Sequence, residues 1–311
     1  MSKSIHFDLE KTTFLSTVAG QNIHLIRGAL SEQYLNWSDV NEALHAVSPL
    51  NGEAKLHLGS IVPEDDFIES HSIVGTVKRR INRVKLQALL SKGATLVLNR
   101  FDERFLKLRQ LCAEIAWYTN SETLANGYVT FAKEGGFGLH WDTHDVMAVQ
   151  LIGSKRWQVF APTFKDPLQE HRSIDHRTEC SGEPILDTVL EAGDVLYVPR
   201  GWWHIATPIG PSFHVAIGIH GPTMVDYLRW VQEKVLAQDP LWRQSLRSGL
   251  PFHGDISLAA KQLQEELSNQ ENLKQFLLLA HSLMAYNGPK APFDIESQID
   301  VSSDHRISLC N

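Results

Sequence analysis

Gly138-Leu139-His140-Trp141-Asp142-Thr143-His144-Asp145-Val146-Met147-Ala148-Val149-Gln150-Leu151-Ile152 carries both the fold signal and the chemistry of this protein. His140 and Asp142 lie one residue apart, so in an extended strand their side chains leave the same face. Val146 to Ile152 is apolar at almost every position, which suits a strand covered on both sides inside a sandwich. Gly153-Ser154 reads as a tight turn, and Lys155-Arg156-Trp157-Gln158-Val159-Phe160 as the returning arm of a hairpin.

Other strands surround this pair. Gly127-Tyr128-Val129-Thr130-Phe131 is β-rich, and the loop Gly135-Gly136-Phe137-Gly138 leads from it into His140. Residues 162–188 are polar and Pro/Gly-marked, and read as a long surface insertion in which His171 and His176 are surface histidines. Asp194 to Val198 is another strand, broken at Pro199-Arg200-Gly201, and Phe213 to Ile219 is the next. Short strands separated by turn signals indicate an all-β sandwich or barrel of about 100 residues.

Before this core, His24 to Leu30 and Leu56 to Gly59 read as strands. Ser38 or Asp39 is placed to cap a helix. Lys78, Arg79, Arg80, Arg83 and Lys85 lie in a segment, 76–92, with a helical apolar stripe in its second half, so the basic run is read as a solvated helix face. Thr95 to Leu98 is a short strand, and 102–119 a helix with Phe105, Leu106, Leu108, Leu111, Ile115 and Ala116 on its buried side. After Pro222 the pattern is helical over 223–237, 256–268 and 271–285, with Asp255 or Asn269 as caps, and 287–311 is irregular.

The protein has 311 residues, 43% hydrophobic and 21% charged, which is ordinary globular composition. A net charge of −7 does not suit binding nucleic acid by charge alone, but tolerates a basic protein or peptide as partner. The three cysteines, Cys112, Cys180 and Cys310, are scattered without CxxC spacing, against a disulfide framework or a zinc knuckle. No apolar run approaches the roughly 20 residues of a membrane helix, and the first residues lack a signal core, so a reducing cytoplasm is expected.

A third ligand candidate follows in Gly193-Asp194-Val195-Leu196-Tyr197-Val198-Pro199-Arg200-Gly201-Trp202-Trp203-His204. Two imidazoles and one carboxylate on one side of an ion form the site of non-haem Fe(II) oxygenases. His144 is on the same face as His140 and Asp142 if the strand is regular, and is an alternative ligand. Asp145 either contacts substrate or caps a turn. Lys155 shares a face with apolar Trp157 and Val159 and so needs an anionic partner. That partner is either a neighbouring Asp or Glu, or the distal carboxylate of a 2-oxo acid that chelates the iron.

The stretch from about Leu86 to His220 resembles the JmjC-type cupin oxygenases (cupin-4) of the ribosomal oxygenase branch. The blocks that carry the likeness are Gly93 to Leu98, Asn126 to Thr130, Gly136 to Val146, Gln150 to Trp157 and Gly193 to His204, in that order. The resemblance implies a mainly β core, a double-stranded β-helix or jelly-roll cupin of JmjC type, with N-terminal α/β elements and a C-terminal helical segment. The domains expected are 1–92 as an N-terminal α/β region, 93–222 as the β-helix, 223–286 as a helical segment for dimerisation, and 287–311 as a tail. By matching position, His140, Asp142 and His204 would bind Fe(II) and carry catalysis. Lys155 would pair with 2-oxoglutarate, with Asn126 and Tyr128 beside it and His214 lining the same pocket; a core histidine satisfied by a neighbour is the alternative for His214.

The resemblance further implies a dioxygenase that hydroxylates a C–H bond in a side chain of a protein or peptide, arginine or histidine favoured, in a homodimer. Segment 287–311 is too short for the winged helix that usually ends such enzymes, which weighs against a ribosomal protein as substrate. A hydroxylase of a free amino acid or natural-product peptide is the second reading, and a non-catalytic metal-binding cupin sensor the third. Lysine demethylation fits the hydroxylase branch less well.

Overall fold

The computed structural model describes residues 4–48, 52–131, 137–180, 182–246 and 256–286. Gly135, Gly136, Asp255, Cys310 and the tail 287–311 lie outside the described residues. Within them the strands are β1 His24–Ile26, β2 Ala54–Leu58, β3 Ser60–Ile61, β4 Ile68–Ile73, β5 Thr76–Ile81, β6 Thr95–Leu98, β7 Glu122–Thr130, β8 Asp145–Ile152, β9 Lys155–Phe160, β10 Leu186–Leu190, β11 Val195–Val198, β12 Trp203–Pro208 and β13 Ser212–His220. The α-helices are α1 Lys11–Thr17, α2 Trp37–Leu44, α3 Arg83–Ser91, α4 Leu106–Thr119, α5 Met224–Trp230, α6 Ile256–Ser268 and α7 Gln270–Tyr286. No helix among the described residues is long and apolar enough to cross a membrane.

Two sheets form the β core. The larger runs β1-β11-β8-β13-β7-β6-β2-β3, and the smaller runs β10-β9-β12. β8 shows why Val146 to Ile152 is apolar throughout. Met147, Val149 and Leu151 point into a core with α1 and α4, beside Phe14, Leu111 and Ile115, whereas Val146 and Ala148 point into the space between the sheets, against Trp157, Val159 and Leu196. Strand alternation thus gives each face its own core. A third cluster, Tyr227, Val231, Leu236 and Phe276, holds the C-terminal helices together.

The expected hairpin of β8 and β9 is not formed. Both edges of β8 are occupied, by β11 on one side and β13 on the other. β9 therefore pairs with β10 and β12 instead. Gly153, at φ +66°, turns the backbone from one sheet to the facing one. That crossing is the step that makes the core a double-stranded β-helix rather than a stack of hairpins.

Smaller differences have local causes. Lys78, Arg79 and Arg80 sit on β5, paired with β4, not on a helix. α3 starts only after Asn82, whose side chain accepts from Lys85 N at 3.0 Å. The cap of α2 is Asn36 rather than Ser38 or Asp39. Its Oδ1 accepts from Ser38 N and Asp39 N, and the Asp39 carboxylate accepts in turn from Asn36 N, a capping box. The strand at His24 stops at Ile26, and the helix expected over 223–237 becomes α5, a π-turn over Val231–Val235 and a 3-10 turn over Leu236–Gln238.

The Gly193-Asp194 pair has a structural reason. A Cβ on Gly193 would lie 2.5 Å from Leu30 O, at φ +99°. The Asp194 carboxylate accepts from Arg27 Nη1 at 2.6 Å, Gly28 N at 2.9 Å and Glu191 N at 3.0 Å, tying β1 to the β10–β11 turn. Asp194→Ala takes this acceptor from Gly28 N and Glu191 N, while Arg27 keeps Val189 O and Thr188 Oγ1, and a stability loss of about 2 kcal/mol is expected in denaturant melts.

Candidate metal centre and the pocket beside it

His140 precedes β8 and makes an isolated antiparallel bridge to His204, on β12 of the smaller sheet. Its N–H donates to His204 O at 3.1 Å, and His204 N–H donates to His140 O at 2.8 Å. The two imidazoles therefore stand side by side, ring centres 4.4 Å apart. Gly201 N donates to Asp142 O at 3.0 Å and fixes the next turn of backbone. Alternation sends Trp141 to the opposite side, where it is buried at 6.2 Å from Trp203. Trp203 Nε1 donates to Thr163 Oγ1 at 2.9 Å, so the aromatic pair sets the backbone from which the ligands project.

His140, Asp142 and His204 offer ligand atoms that all lie within 4.8 Å of one another. Asp142 Oδ2 is 3.6 Å from His204 Nε2. Metal–ligand bonds of about 2.1 Å place adjacent ligands about 3 Å apart, so a contraction of about an ångström or two closes the triad on an ion. His140 Nδ1 lies 2.9 Å from Gly138 O, and His204 Nδ1 lies 3.0 Å from Trp202 O. Each carbonyl takes the Nδ1 hydrogen and leaves the Nε2 lone pair for a metal, the arrangement that outer partners of metal-binding histidines enforce.

The electrostatics agree with a ligand set. Burial, and then the neighbouring His140, push His204 down to about 4, so its imidazole is neutral at neutral pH. Burial pulls the Asp142 carboxyl up, but His204, His140 and His144 together outweigh it, and the net shift is downward. One carboxylate between two imidazoles suits a divalent ion.

Lys155, at the start of β9, is 4% exposed. Its Nζ lies 2.8 Å from His214 Nδ1. No carboxylate among the described residues pairs with it, so the expectation of a neighbouring Asp or Glu is not met. His214 is stacked on Tyr128 at 4.8 Å, and Trp157 stands 5.7 Å from His214 and 5.9 Å from His204. Trp157 thus forms a wall from the Lys155 end to the metal end. Asn126 hydrogen-bonds the Tyr128 side chain and accepts from Arg100 N at 3.0 Å. Burial and then Asp142 raise the Tyr128 hydroxyl, which stays protonated.

Register explains why these residues meet. Gln150, His214 and Tyr128 are direct partners across β8, β13 and β7, and Ala148, Ala216 and Asn126 form the next row. All face the smaller sheet. Two of the residues concerned were not singled out as site residues from sequence. Gln150 is fully buried and its Oε1 has no hydrogen-bond partner among the described residues, and Trp157 Nε1 is buried in the same condition. Gln150 is the polar interruption of an otherwise apolar strand, which was the available signal. Orphaned polar atoms beside a buried lysine fit a pocket for a polar, anionic ligand.

The alternative ligand His144 is elsewhere. Its ring faces His220 at 4.5 Å and lies against Gly218, where a Cβ would meet it at 2.5 Å. The backbone passes from one sheet to the other between Asp142 and Asp145, so the strand parity that linked His144 to the pair does not hold. Asp145 is structural, accepting from Tyr197 Oη at 2.5 Å and Arg200 N at 2.9 Å. His171 and His176 are half-buried against Phe164, at 4.9 and 4.6 Å, rather than surface residues.

Comparison with known proteins gives the same picture. Residues 98–227 match the JmjC domain family. The protein is 35% identical over 151 residues to the bifunctional lysine-specific demethylase and histidyl-hydroxylase NO66 of Drosophila mojavensis, covering 47% of its own length and 17% of that relative. To NO66 of Drosophila melanogaster it is 32% identical over 167 residues, covering 52% and 26%. The match therefore spans between a sixth and about a quarter of these relatives' length. YcfD, a ribosomal oxygenase from Escherichia coli in complex with cobalt and 2-oxoglutarate, superimposes with a TM-score of 0.55 at 17% identity, over 89% of this protein and 72% of that one. That likeness is one of fold. Residues 98–227, the stretch similar to the JmjC domain family, hold the triad, Lys155 and His214.

Proposed function

We propose that this protein is an Fe(II)- and 2-oxoglutarate-dependent oxygenase that hydroxylates a C–H bond in a side chain of a protein or peptide, with histidine the favoured residue. The observation that carries the reading is the His140-Asp142-His204 triad together with a buried Lys155 that has no counter-ion among the described residues, the two linked through Trp157, which stands beside His204 and beside the His214 that Lys155 contacts. The names of the curated relatives support histidine over arginine. The chemistry that iron supplies here when bound is the four-electron reduction of dioxygen, two electrons coming from 2-oxoglutarate, which leaves as succinate and CO2, and two from the substrate C–H bond. His140, Asp142 and His204 would hold the ion from one side and leave the other open. Lys155 would hold the distal carboxylate of 2-oxoglutarate, Asn126 and Tyr128 would border it, and Trp157 would keep water out.

A cytoplasmic homodimer acting on a protein, a ribosomal one included, completes the proposal. Ile256, Leu258, Leu277 and Leu278 expose apolar side chains on α6 and α7, which supports pairing with a second copy. Mass spectrometry of the cell's proteins with and without the gene tests the target. A gene-dependent gain of one oxygen on histidine is expected. Gain on arginine moves the target, release of formaldehyde from methyl-lysine makes the protein a demethylase, and hydroxylation of free amino acids alone favours the small-molecule reading.

Lys155→Met tests the anion site. It is expected to weaken 2-oxoglutarate binding about a hundredfold, as removal of a charge-assisted contact does. It also raises thermal stability, because an apolar side chain of similar length replaces a buried cation that has no carboxylate partner among the described residues. Burial lowers Lys155 to about 7, against 10.5 when unfolded. The unfolded state thus holds more protons between these values, and wild-type stability climbs with pH across that window. The advantage of Lys155→Met is therefore largest below pH 7 and shrinks towards pH 10.5 in melts.

A further inference from the structure

The fold buries Lys155 and provides a single side-chain partner for it among the described residues, an imidazole nitrogen rather than a carboxylate. Around it Pro208 lies opposite on β12 and Leu190 opposite on β10, neither ionisable. On β8, the residue in register with His214 is the neutral Gln150. Asp194, in the β10–β11 turn, is engaged by Arg27 and Gly28. On its own strand Arg156 is paired with Asp187 on the outer face. Behind His214 stands Tyr128, whose hydroxyl burial keeps protonated. The ionisable groups facing Lys155 are therefore His214 and, one layer back, Tyr128.

We propose that His214 is a positioning residue that aims Lys155 at the distal carboxylate of a 2-oxo dicarboxylic acid, and that binding of this dianion draws one proton from solvent onto the Lys155–His214 pair. The inference rests on the function proposed above. Its geometry is the 2.8 Å contact between Nζ and Nδ1; an ammonium at Lys155 has only donors, so in the charged state Nζ donates to Nδ1 and the imidazole hydrogen sits on Nε2. His214 is held for this by its stack on Tyr128 and its edge contact with Trp157. Burial brings Lys155 down to about 7, and burial and then the lysine charge push His214 well below its usual value. Above neutral pH the pair is thus short of the proton that a carboxylate partner stabilises. The arriving carboxylate supplies the missing counter-charge, the amine becomes an ammonium, and the ion pair N–H⁺···⁻O–C forms. Binding that consumes a proton weakens as pH rises, by about tenfold per unit above 7.

Calorimetric titration of the Mn(II)-loaded protein under argon tests this. 2-Oxoglutarate is added at pH 6 and pH 8.5, each in two buffers of different ionisation enthalpy, which counts the protons exchanged. The monoacid 2-oxopentanoate, which lacks the distal carboxylate, is run alongside. The expected result is uptake of close to one proton with 2-oxoglutarate at pH 8.5, little at pH 6, and little with the monoacid at either. His214→Phe keeps a ring against Tyr128 but no acceptor, and loses about tenfold of the preference for the dicarboxylate, the worth of one hydrogen bond. His214→Asn, with an amide oxygen near the position of Nδ1, restores most of that preference. Tight 2-oxoglutarate binding at pH 8.5 without proton uptake overturns the inference and leaves the oxygenase reading intact, as does an undiminished preference in a folded His214→Phe. Failure of 2-oxoglutarate to bind the metal-loaded protein at either pH overturns both.

Discussion

Asp142→Ala is expected to lower turnover by at least about a thousandfold, equivalent to about 4 kcal/mol of barrier, in a protein that remains folded. Asp142 is the anionic member of the triad, and without it two neutral imidazoles face the ion. Divalent iron held by two neutral nitrogens alone loses the charge compensation on which such a site depends. The metal-free fold has little at stake, because the Asp142 side chain is partly exposed and its nearest partner is His204 at 3.6 Å. Melting of the metal-free variant should therefore match the unsubstituted protein, while the stabilisation conferred by added metal disappears. Succinate formation, metal content and thermal melts check the three parts. Retained turnover would remove the iron assignment.

Gly153→Ala is expected to be the most damaging single change to the fold. A Cβ there would lie 2.1 Å from Pro211 O and 3.2 Å from Ser212 Cα, both backbone atoms that cannot step aside. Its φ of +66° adds the penalty that an L side chain meets in left-handed backbone, about 1 kcal/mol. The sum is expected to exceed about 4 kcal/mol, the range reached by clashes in a packed interior. Gly59→Ala is the control, since φ is +71° there and nothing lies within 4 Å of the added carbon. It should lose only about 1 kcal/mol. Equal losses in the two variants would mean that the β8–β9 corner is not the close crossing described.

The triad was legible because its signal is local: His140 and Asp142 share a face by alternation, and His204 closes a motif in order. Lys155 was legible as a buried cation for the same reason. What alternation does not reveal is which strand pairs with which. β8 and β9 look like a hairpin because a short glycine turn joins two apolar strands, and only the occupation of both β8 edges by β11 and β13 prevents it. The same limit misplaced His144, whose link to His140 presumed one continuous strand. Lys155's partner was open in the sequence because residue type says that an anion is needed and not where one is. Asn36 was missed as a cap although Asp39 stands three residues on, since Ser38 and Asp39 were nearer the apolar run. Gln150 and Trp157 sat inside quoted blocks, but burial without a hydrogen-bond partner is a property of the folded state alone.

The most direct measurement is succinate formed from 2-oxoglutarate by the purified protein with Fe(II) and ascorbate under air, run beside Asp142→Ala. The oxygenase reading requires succinate from the unsubstituted protein, in step with oxygen consumed, and none above background from the variant. Equal succinate from both would place the chemistry outside the triad. None from the iron-loaded unsubstituted protein, with or without histidine-containing peptides, would contradict the reading and leave a metal-binding cupin.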